Sequence, residues 1–232
     1  MNKINVPALE QYWERLAQEL PSFSPEEQRT AVTLYRELAK GQAVDADQLA
    51  QALGVPPAEA RALLARDPIK AFVFLDDQGR VLGFGGLAAA QMQHRFEVEG
   101  RMLWTWCAWD SLFIPEILGK AARIESRDPE NGKIVRLVVS PDGVESVEPT
   151  DAVVSFLLPD GHFRTSASNV MAEFCHFVFF FTSRASGERW MAKHPGTFLY
   201  SLDDALALAK RLNAKNFGLE LARRASAAAA TQ

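Results

Sequence analysis

The spacing of apolar residues changes near residue 70, and this change limits the folds open to the chain. Before it, apolar residues recur every three or four positions, as on the buried stripe of an amphipathic helix. After it, short segments alternate apolar and polar residues and are separated by tight turn signals. Such short connections favour antiparallel pairing. The pattern predicts an α+β fold, with a helical N-terminal part followed by an antiparallel sheet with flanking helices.

The N-terminal part is predicted to hold four helices and a hairpin. The second helix carries the clearest signals, since Ser24 can cap it, Pro25 suits its first position and Glu27 completes a capping box. The helices are predicted at about residues 7–19, 25–40, 46–53 and 58–66, and the hairpin strands at 71–75 and 80–84. Short helices followed by a hairpin are the layout of a winged helix. We therefore predict a winged-helix-like helical domain over residues 1–83.

The charge of this N-terminal part argues against DNA binding. Residues 1–83 carry nine basic and twelve acidic side chains, a net charge of −3. The helix that would enter a groove offers only Arg61 and Arg66, whereas a surface that binds phosphates needs several clustered cations. We expect no nucleic-acid partner and interpret the helical part as a packing or lid domain.

Residues 84–232 are predicted to form a second domain built on an antiparallel sheet. Six strand-like segments begin near residues 95, 101, 121, 133, 144 and 152. A late helix is predicted to follow Ser201, which can cap it with Asp204 at the third position. The sequence contains no phosphate-binding loop and no paired Cys-x-x-Cys motif, so it indicates no nucleotide cofactor and no structural zinc site.

Composition and charge favour a globular protein that acts on small molecules. Of 232 residues, 48% are hydrophobic and 23% are charged, which is ordinary for a globular domain. No apolar run approaches the roughly 18 residues of a membrane helix, and the chain start becomes amphipathic where a signal peptide would become apolar. The net charge of −4 offers no attraction to an anionic membrane. We expect a cytoplasmic protein without a membrane partner.

The two cysteines of the chain each lie in an aromatic segment. Cys107 is found within LWTWCAWDSLFIP and Cys175 within EFCHFVFFF. A chain of this size needs no disulfide, so both are expected to be free thiols in a reducing compartment. Buried cysteines and aromatic residues are also common in protein cores. A purely structural role for both segments therefore remains open at this point.

Asp110 favours a chemical role for the first segment. A carboxylate in so apolar a run is costly to bury without a partner or a purpose. A helix that started after Trp106 would place Cys107 and Asp110 on one face, with the carboxylate within reach of the thiol. The alternative, Asp110 as a helix cap or a surface residue, stays open on the spacing alone.

Five stretches of the second part occur in a characteristic order. They are HRFEVEGRMLWTWCAWDSLFIP, GKAARIES, VVSPDGVESVEP, EFCHFVFFFTS and ERWMAKHPG. Together they resemble the organomercurial lyases (alkylmercury lyases) of bacterial mercury-resistance operons, and the resemblance covers roughly residues 83–213. Its most specific elements are WCAxD and the later FC. The N-terminal helices match the winged-helix-like first domain of that family in layout more than in sequence.

The resemblance implies that residues 84–232 are a catalytic core that cleaves carbon–mercury bonds. It places the two catalytic cysteines on Cys107 and Cys175 and the catalytic carboxylate on Asp110, and these three would also hold the Hg(II) product. In this chemistry, an apolar aromatic wall from Trp106 and its neighbours would accept the alkyl or aryl group and exclude competing water. His94 matches a histidine of the family, although a hydrogen-bonded structural histidine is the favoured interpretation.

The chemistry of mercury explains why this set of residues would suffice. Mercury is a soft ion that prefers thiolates, and two thiolates can weaken its bond to carbon. Asp110 could accept a thiol proton and deliver it to the departing carbon as a general acid. No cofactor is expected. The Hg(II) product would pass to cellular thiols or to a mercuric reductase, so external thiols would be needed for turnover.

Two other functions are compatible with the same residues. A thiol-based metal-binding or metal-delivery protein would use Cys107 and Cys175 without cleaving a bond, and the presence of Asp110 argues against it. A winged-helix metal sensor would bind DNA through its N-terminal domain, and the acidic charge of residues 1–83 argues against that function.

Overall fold

The computed structural model describes residues 6–158 and 166–229, and it confirms the predicted α+β fold. The described residues form eight α-helices. These are α1 (Leu9–Glu19), α2 (Pro25–Leu38), α3 (Ala46–Leu53), α4 (Pro57–Ala65), α5 (Asp110–Leu118), α6 (Ala167–Glu173), α7 (Arg184–Met191) and α8 (Leu202–Ala229). Short 3-10 helices span Lys70–Phe72 and Cys175–Phe177.

The strands form two antiparallel sheets. They are β1 (Val73–Leu75), β2 (Val81–Phe84), β3 (Leu87–Ala88), β4 (His94–Val98), β5 (Arg101–Thr105), β6 (Ala122–Arg127), β7 (Ile134–Val139), β8 (Val144–Glu148), β9 (Val153–Leu157), β10 (Phe180–Phe181) and β11 (Thr197–Ser201). The larger sheet has the order β1-β2-β3-β5-β4-β6-β7-β8, and the smaller has the order β10-β9-β11. Every adjacent pair is antiparallel, as the short connections predicted.

The predicted helices and strands lie within a few residues of their predicted positions. Ser24 and Glu27 form the predicted capping box at the start of α2. Before α8, the Ser201 hydroxyl accepts a hydrogen bond from the backbone N–H of Asp204, also as predicted. Sequence patterns missed the two short helices α6 and α7 and the strands β3, β10 and β11.

The hairpin of β1 and β2 forms one edge of the larger sheet, and the predicted domain boundary after residue 83 falls within β2. One buried cluster of apolar residues extends from α1 to α8. At its centre, the Tyr35 ring of α2 packs edge-on against Phe84 of β2 and Phe217 of α8. The structure thus shows that both parts share one core, and the division into two domains stays a prediction.

Helix α8 lies against α5 and holds it through side-chain hydrogen bonds. The side-chain amide of Asn213 in α8 donates to the Phe113 carbonyl and to Glu116 Oε2 of α5, at 2.9 and 2.7 Å. Arg224 donates to two further carbonyls at the C-terminal end of α5. These contacts fix α5, the helix that begins at Asp110. Within the described ranges, no helix has both the length and the apolar character needed to cross a membrane.

Candidate active site

The chain turns between β5 and α5, and this turn carries Cys107. Helix α5 begins only at Asp110, so the hypothesis of a helix starting directly after Trp106 is wrong. Instead, the Asp110 side chain folds back, and its Oδ2 accepts a hydrogen bond from the backbone N–H of Cys107 at 2.6 Å. The Thr105 hydroxyl donates to the Cys107 carbonyl at 2.9 Å. The turn therefore holds the carboxyl group of Asp110 beside Cys107 without a shared helix face.

Cys175 lies in a second segment, which packs beside the turn that carries Cys107. It begins the 3-10 helix that follows α6. The backbone N–H of Ala108 donates to the Val178 carbonyl at 3.1 Å, which joins the two cysteine-bearing segments directly. The two segments therefore lie side by side within the buried core, and the cysteines become neighbours.

Cys107, Asp110 and Cys175 converge on one point. The two sulfur atoms and a carboxylate oxygen all lie within 4.8 Å of one another, and all three residues are buried. Both cysteines are free thiols, as the sequence predicted. A soft metal ion bound by two sulfurs, with a carboxyl group adjacent, fits this donor set.

Burial dominates the electrostatics of these three groups. Loss of solvation raises the pKa of the Asp110 carboxyl group from 3.8 to about 7, even though hydrogen bonds from Cys107 act in the opposite direction. Loss of solvation likewise raises the pKa of both thiols, that of Cys107 well above its ordinary value. Near neutral pH the thiols thus remain protonated, while Asp110 exists in both its acid and its carboxylate form.

An apolar cavity of about 80 Å³ opens beside the three groups. Asp110, Cys175 and Trp106 line it. The rest of its wall is mostly aliphatic and aromatic, including Leu16, Phe23, Phe72, Phe84, Phe113, Val170, Phe174 and Leu212. Trp106 thus lines a cavity beside the three groups, and its role as a substrate wall stays a prediction. An apolar ligand held at Cys175 would extend into this space.

Comparison with known proteins shows the family of this chain. A model of the alkylmercury lyase family matches residues 87–214, which is more than half of the chain. The chain belongs to the alkylmercury lyase family. The alkylmercury lyase of Staphylococcus epidermidis is 39% identical over 182 residues, covering 78% of this chain and 80% of that protein. The alkylmercury lyase of Pseudomonas putida is 37% identical over 199 residues, covering 85% and 90%.

A solved structure, the mercury-bound form of MerB2, shows the same fold. It matches with a TM-score of 0.68 at 21% identity and covers 88% of this chain and 96% of that chain. At this level of identity the likeness concerns the fold. The α+β architecture described above is thus the architecture of an alkylmercury lyase family member.

A two-glycine turn supports Asp110 in this family member, and the sequence patterns did not reveal it. Gly85 and Gly86 join β2 to β3 with positive φ angles of 50° and 99°. The Gly86 carbonyl accepts from the Trp106 N–H at 2.8 Å, and the Gly85 carbonyl accepts from the Tyr35 hydroxyl at 2.6 Å. A Cβ atom on Gly86 would lie 2.4 Å from Cγ of Asp110. Only glycine fits between the backbone and this carboxyl group.

His94 occupies a buried position on β4 and has a structural environment. Its Nδ1 is 2.8 Å from the Ser126 hydroxyl, and its Nε2 has no partner. Its ring packs near Phe179 and Phe180. Burial lowers the pKa of His94 to about 3, so the imidazole stays neutral. These contacts agree with the favoured interpretation of His94 as a hydrogen-bonded structural residue.

The raised pKa of Asp110 predicts how the stability of the protein depends on pH. Between pH 4 and 7 the unfolded chain has lost this proton while the folded protein keeps it, so the free energy of unfolding falls as pH rises. A shift of this size corresponds to about 4 kcal/mol. Urea unfolding should therefore show wild type losing stability relative to Asp110→Asn from pH 4 to 7. The prediction is wrong if the free energy of unfolding of the wild type, minus that of the variant, stays constant or rises from pH 4 to 7.

Proposed function

We propose that the protein cleaves the carbon–mercury bond of organomercurials by protonolysis and releases a hydrocarbon and Hg(II). The observation that supports this most is the convergence of two buried thiols and a carboxyl group within 4.8 Å, beside an apolar cavity. Thiolates are the preferred ligands of a soft metal. A carboxyl group with a pKa of about 7 is suited to move a proton at neutral pH.

In the proposed reaction, Cys107 and Cys175 both become mercury ligands. Each sulfur replaces its proton by a bond to mercury, and Asp110 as carboxylate accepts a proton from the thiol. Asp110 then donates that proton to the carbon atom as the carbon–mercury bond breaks. One thiol proton thus ends in the hydrocarbon. The other leaves together with the counter-ligand, such as a halide or a thiolate, that was bound to mercury in the substrate.

The surroundings of the three groups favour this sequence of steps. The hydrogen bond from the Cys107 N–H holds the Asp110 carboxyl group beside the sulfur. The buried thiols have raised pKa values and therefore need a nearby base. The apolar wall around Trp106 accepts the organic group and limits access of water.

We further propose that the reaction requires no resident cofactor, since Cys107, Cys175 and Asp110 supply both the metal ligands and the proton. Two buried thiolates bind Hg(II) tightly, so the product has to be removed by external thiols or by a mercuric reductase. Free cysteines in the site suit a reducing compartment, and we place the protein in the cytoplasm.

Headspace gas chromatography tests the proposed activity. The purified protein is incubated with methylmercury or phenylmercury and excess thiol, and methane or benzene is measured. We expect sustained release of both hydrocarbons in proportion to protein concentration. A protein that binds the mercurial but releases no hydrocarbon would be a passive metal binder.

The two-glycine turn gives a prediction about the position of Asp110. Gly86→Ala should lower the rate of hydrocarbon release by about 10²-fold, because a displacement of about 1 Å in a catalytic group has effects of this size. The new Cβ atom would lie 2.4 Å from Asp110 Cγ and would force the carboxyl group away. The rate is measured by headspace chromatography.

Gly100→Ala is the matched control. Gly100 also has a positive φ, of 74°, but a Cβ atom there would meet nothing within 4 Å. Both variants should lose about 1–2 kcal/mol of stability from backbone strain, and only Gly86→Ala should lose activity. Equal rates for the two variants would show that Gly86 does not position Asp110.

A further inference from the structure

One polar side chain in the wall of the apolar cavity has no role in the proposed reaction. Asn216 of α8 lines the cavity together with Asp110 and Cys175. It is 4% exposed, and its Oδ1 is buried without a hydrogen-bond partner. No hydrogen bond joins its side-chain amide to any residue in the described part of the chain. A buried acceptor without a partner destabilises a fold, so Asn216 Oδ1 is a candidate to accept a hydrogen bond from a ligand.

Each of the neighbouring polar side chains makes at least one structural hydrogen bond. Asn213, one turn earlier on α8, donates to Phe113 and Glu116 and so ties α8 to α5. In the cavity wall, the Tyr35 hydroxyl donates to Gly85, and Trp109 Nε1 donates to the Ala205 carbonyl. Asn213 Oδ1, like that of Asn216, is buried without a partner, but the NH₂ group of Asn213 joins the two helices and its side chain does not line the cavity. Asn216 differs because it lies in the cavity wall and makes no such helix contact.

Trp106 Nε1 is the other unpaired polar atom of the wall. It lies against the backbone of β2, where a Cβ atom on Gly83 would be 3.3 Å away. It can only donate a hydrogen bond, whereas an asparagine amide can donate and accept. Asn216 is therefore the polar group of the wall with the wider binding capacity.

We propose that Asn216 is a specificity-determining residue that binds a neutral hydroxyl or amide group on the organic part of the mercurial. This inference rests on the proposed function, because the organic group of a mercurial held at Cys175 has to occupy the cavity that Asn216 lines. Rotation of the amide presents either an oxygen or an NH₂ group, and a hydroxyl can pair with both.

The cavity also limits the class of substrate. The described residues of its wall include no Lys, Arg or His, and its one acidic side chain is Asp110. An anionic substituent would thus meet no cation and would be repelled by the carboxylate form of Asp110. The cavity has a volume of about 80 Å³, so it suits a small organic group. The inferred substrates are therefore short hydroxyalkyl mercurials.

The test compares two mercurials of equal size, 3-hydroxypropylmercury and n-butylmercury. Both are offered together in excess thiol, and gas chromatography measures propan-1-ol and butane. The ratio of the two products reports relative kcat/KM within one sample, so a loss of folded protein cancels. We expect Asn216→Leu to lower the ratio of propan-1-ol to butane about tenfold relative to wild type, which is typical of one lost hydrogen bond to a buried group.

Two further variants serve as controls, one for poor folding of Asn216→Leu and one for a change elsewhere on the same helix. Asn216→Ala removes the amide without adding bulk and should lower the ratio in the same way if the leucine variant folds poorly. Leu219→Ala changes an exposed residue of the same helix that does not line the cavity, and it should leave the ratio unchanged. A ratio that is equal in wild type and both Asn216 variants would overturn the inference.

A binding measurement separates this inference from the proposed function. Native mass spectrometry of the protein with both mercurials gives the ratio of bound species, in the Asp110→Asn background with and without Asn216→Leu. Absence of both products from the wild type would reject the lyase function, while a shifted binding ratio would still support Asn216 as the selective residue. Unchanged binding together with an unchanged product ratio would reject Asn216 and leave the lyase function standing.

Discussion

Replacing either Cys107 or Cys175 by serine is expected to lower hydrocarbon release by about 10⁴-fold or more, the size of effect seen when a catalytic nucleophile is removed. A hard hydroxyl oxygen cannot replace a soft thiolate as a mercury ligand. Both side chains are buried, at 0% and 2% exposure. Serine has the same shape as cysteine and is slightly smaller, so it fits in their place. Rates are measured by headspace chromatography and Hg(II) retention by dialysis against excess thiol.

The serine variants test the two thiols separately from the position of Asp110. In Cys107→Ser the hydrogen bond to Asp110 comes from the backbone N–H and is retained, so the carboxyl group keeps its place. Because the two cysteines act as a unit, the double variant should be scarcely slower than either single variant. A single variant that still releases methane within tenfold of the wild-type rate would show that one thiol suffices and would reject the proposed two-thiolate step.

Local signals in the sequence predicted the parts of the fold that depend on neighbouring residues. The capping box of Ser24 and Glu27 and the strand alternation after residue 95 are properties of short segments, and the structure contains them. Helix α7 was missed because Gly187 weakens the helical signal. The structure shows why glycine is there, since a Cβ atom would lie 2.7 Å from the Leu199 side chain of β11. Close helix–sheet packing overrides helix propensity at that point.

The candidate site was predictable only in part for a similar reason. The aromatic segments and the family resemblance indicated Cys107, Asp110 and Cys175. Their convergence is a matter of tertiary packing, seen in the backbone hydrogen bond between Ala108 and Val178, and no local pattern reveals it. Gly86 looks like an ordinary turn residue in the sequence, and Asn216 looks like a surface position of a helix. Their roles follow from tertiary contacts with Asp110 and with the cavity.

Asp110→Asn should separate the lyase reaction from passive binding of mercury. The soft sulfur ligands dominate the affinity for Hg(II), so binding by Cys107 and Cys175 should remain largely intact. The amide oxygen of asparagine can still accept the hydrogen bond that Asp110 Oδ2 receives from the Cys107 N–H at 2.6 Å, so the turn should keep its shape. An amide cannot relay a proton. General acid–base groups contribute about 10²–10⁴-fold in rate, and hydrocarbon release should fall by at least the lower value.

The control for this variant is Ser111→Ala, one position further along α5. The buried Ser111 hydroxyl donates to the Ala108 carbonyl at 2.6 Å and stabilises the same turn, so its loss should lower stability while the rate of hydrocarbon release changes little. Hg(II) binding is compared by competition with a fixed excess of thiol, and the rate by headspace chromatography. If Asp110→Asn released methane at the wild-type rate, Asp110 would be structural and the proton would have to come from water or from a thiol. If instead Hg(II) binding and the rate fell together, Asp110 would be required to bind the metal, because a loss confined to proton transfer leaves the two sulfur ligands in place.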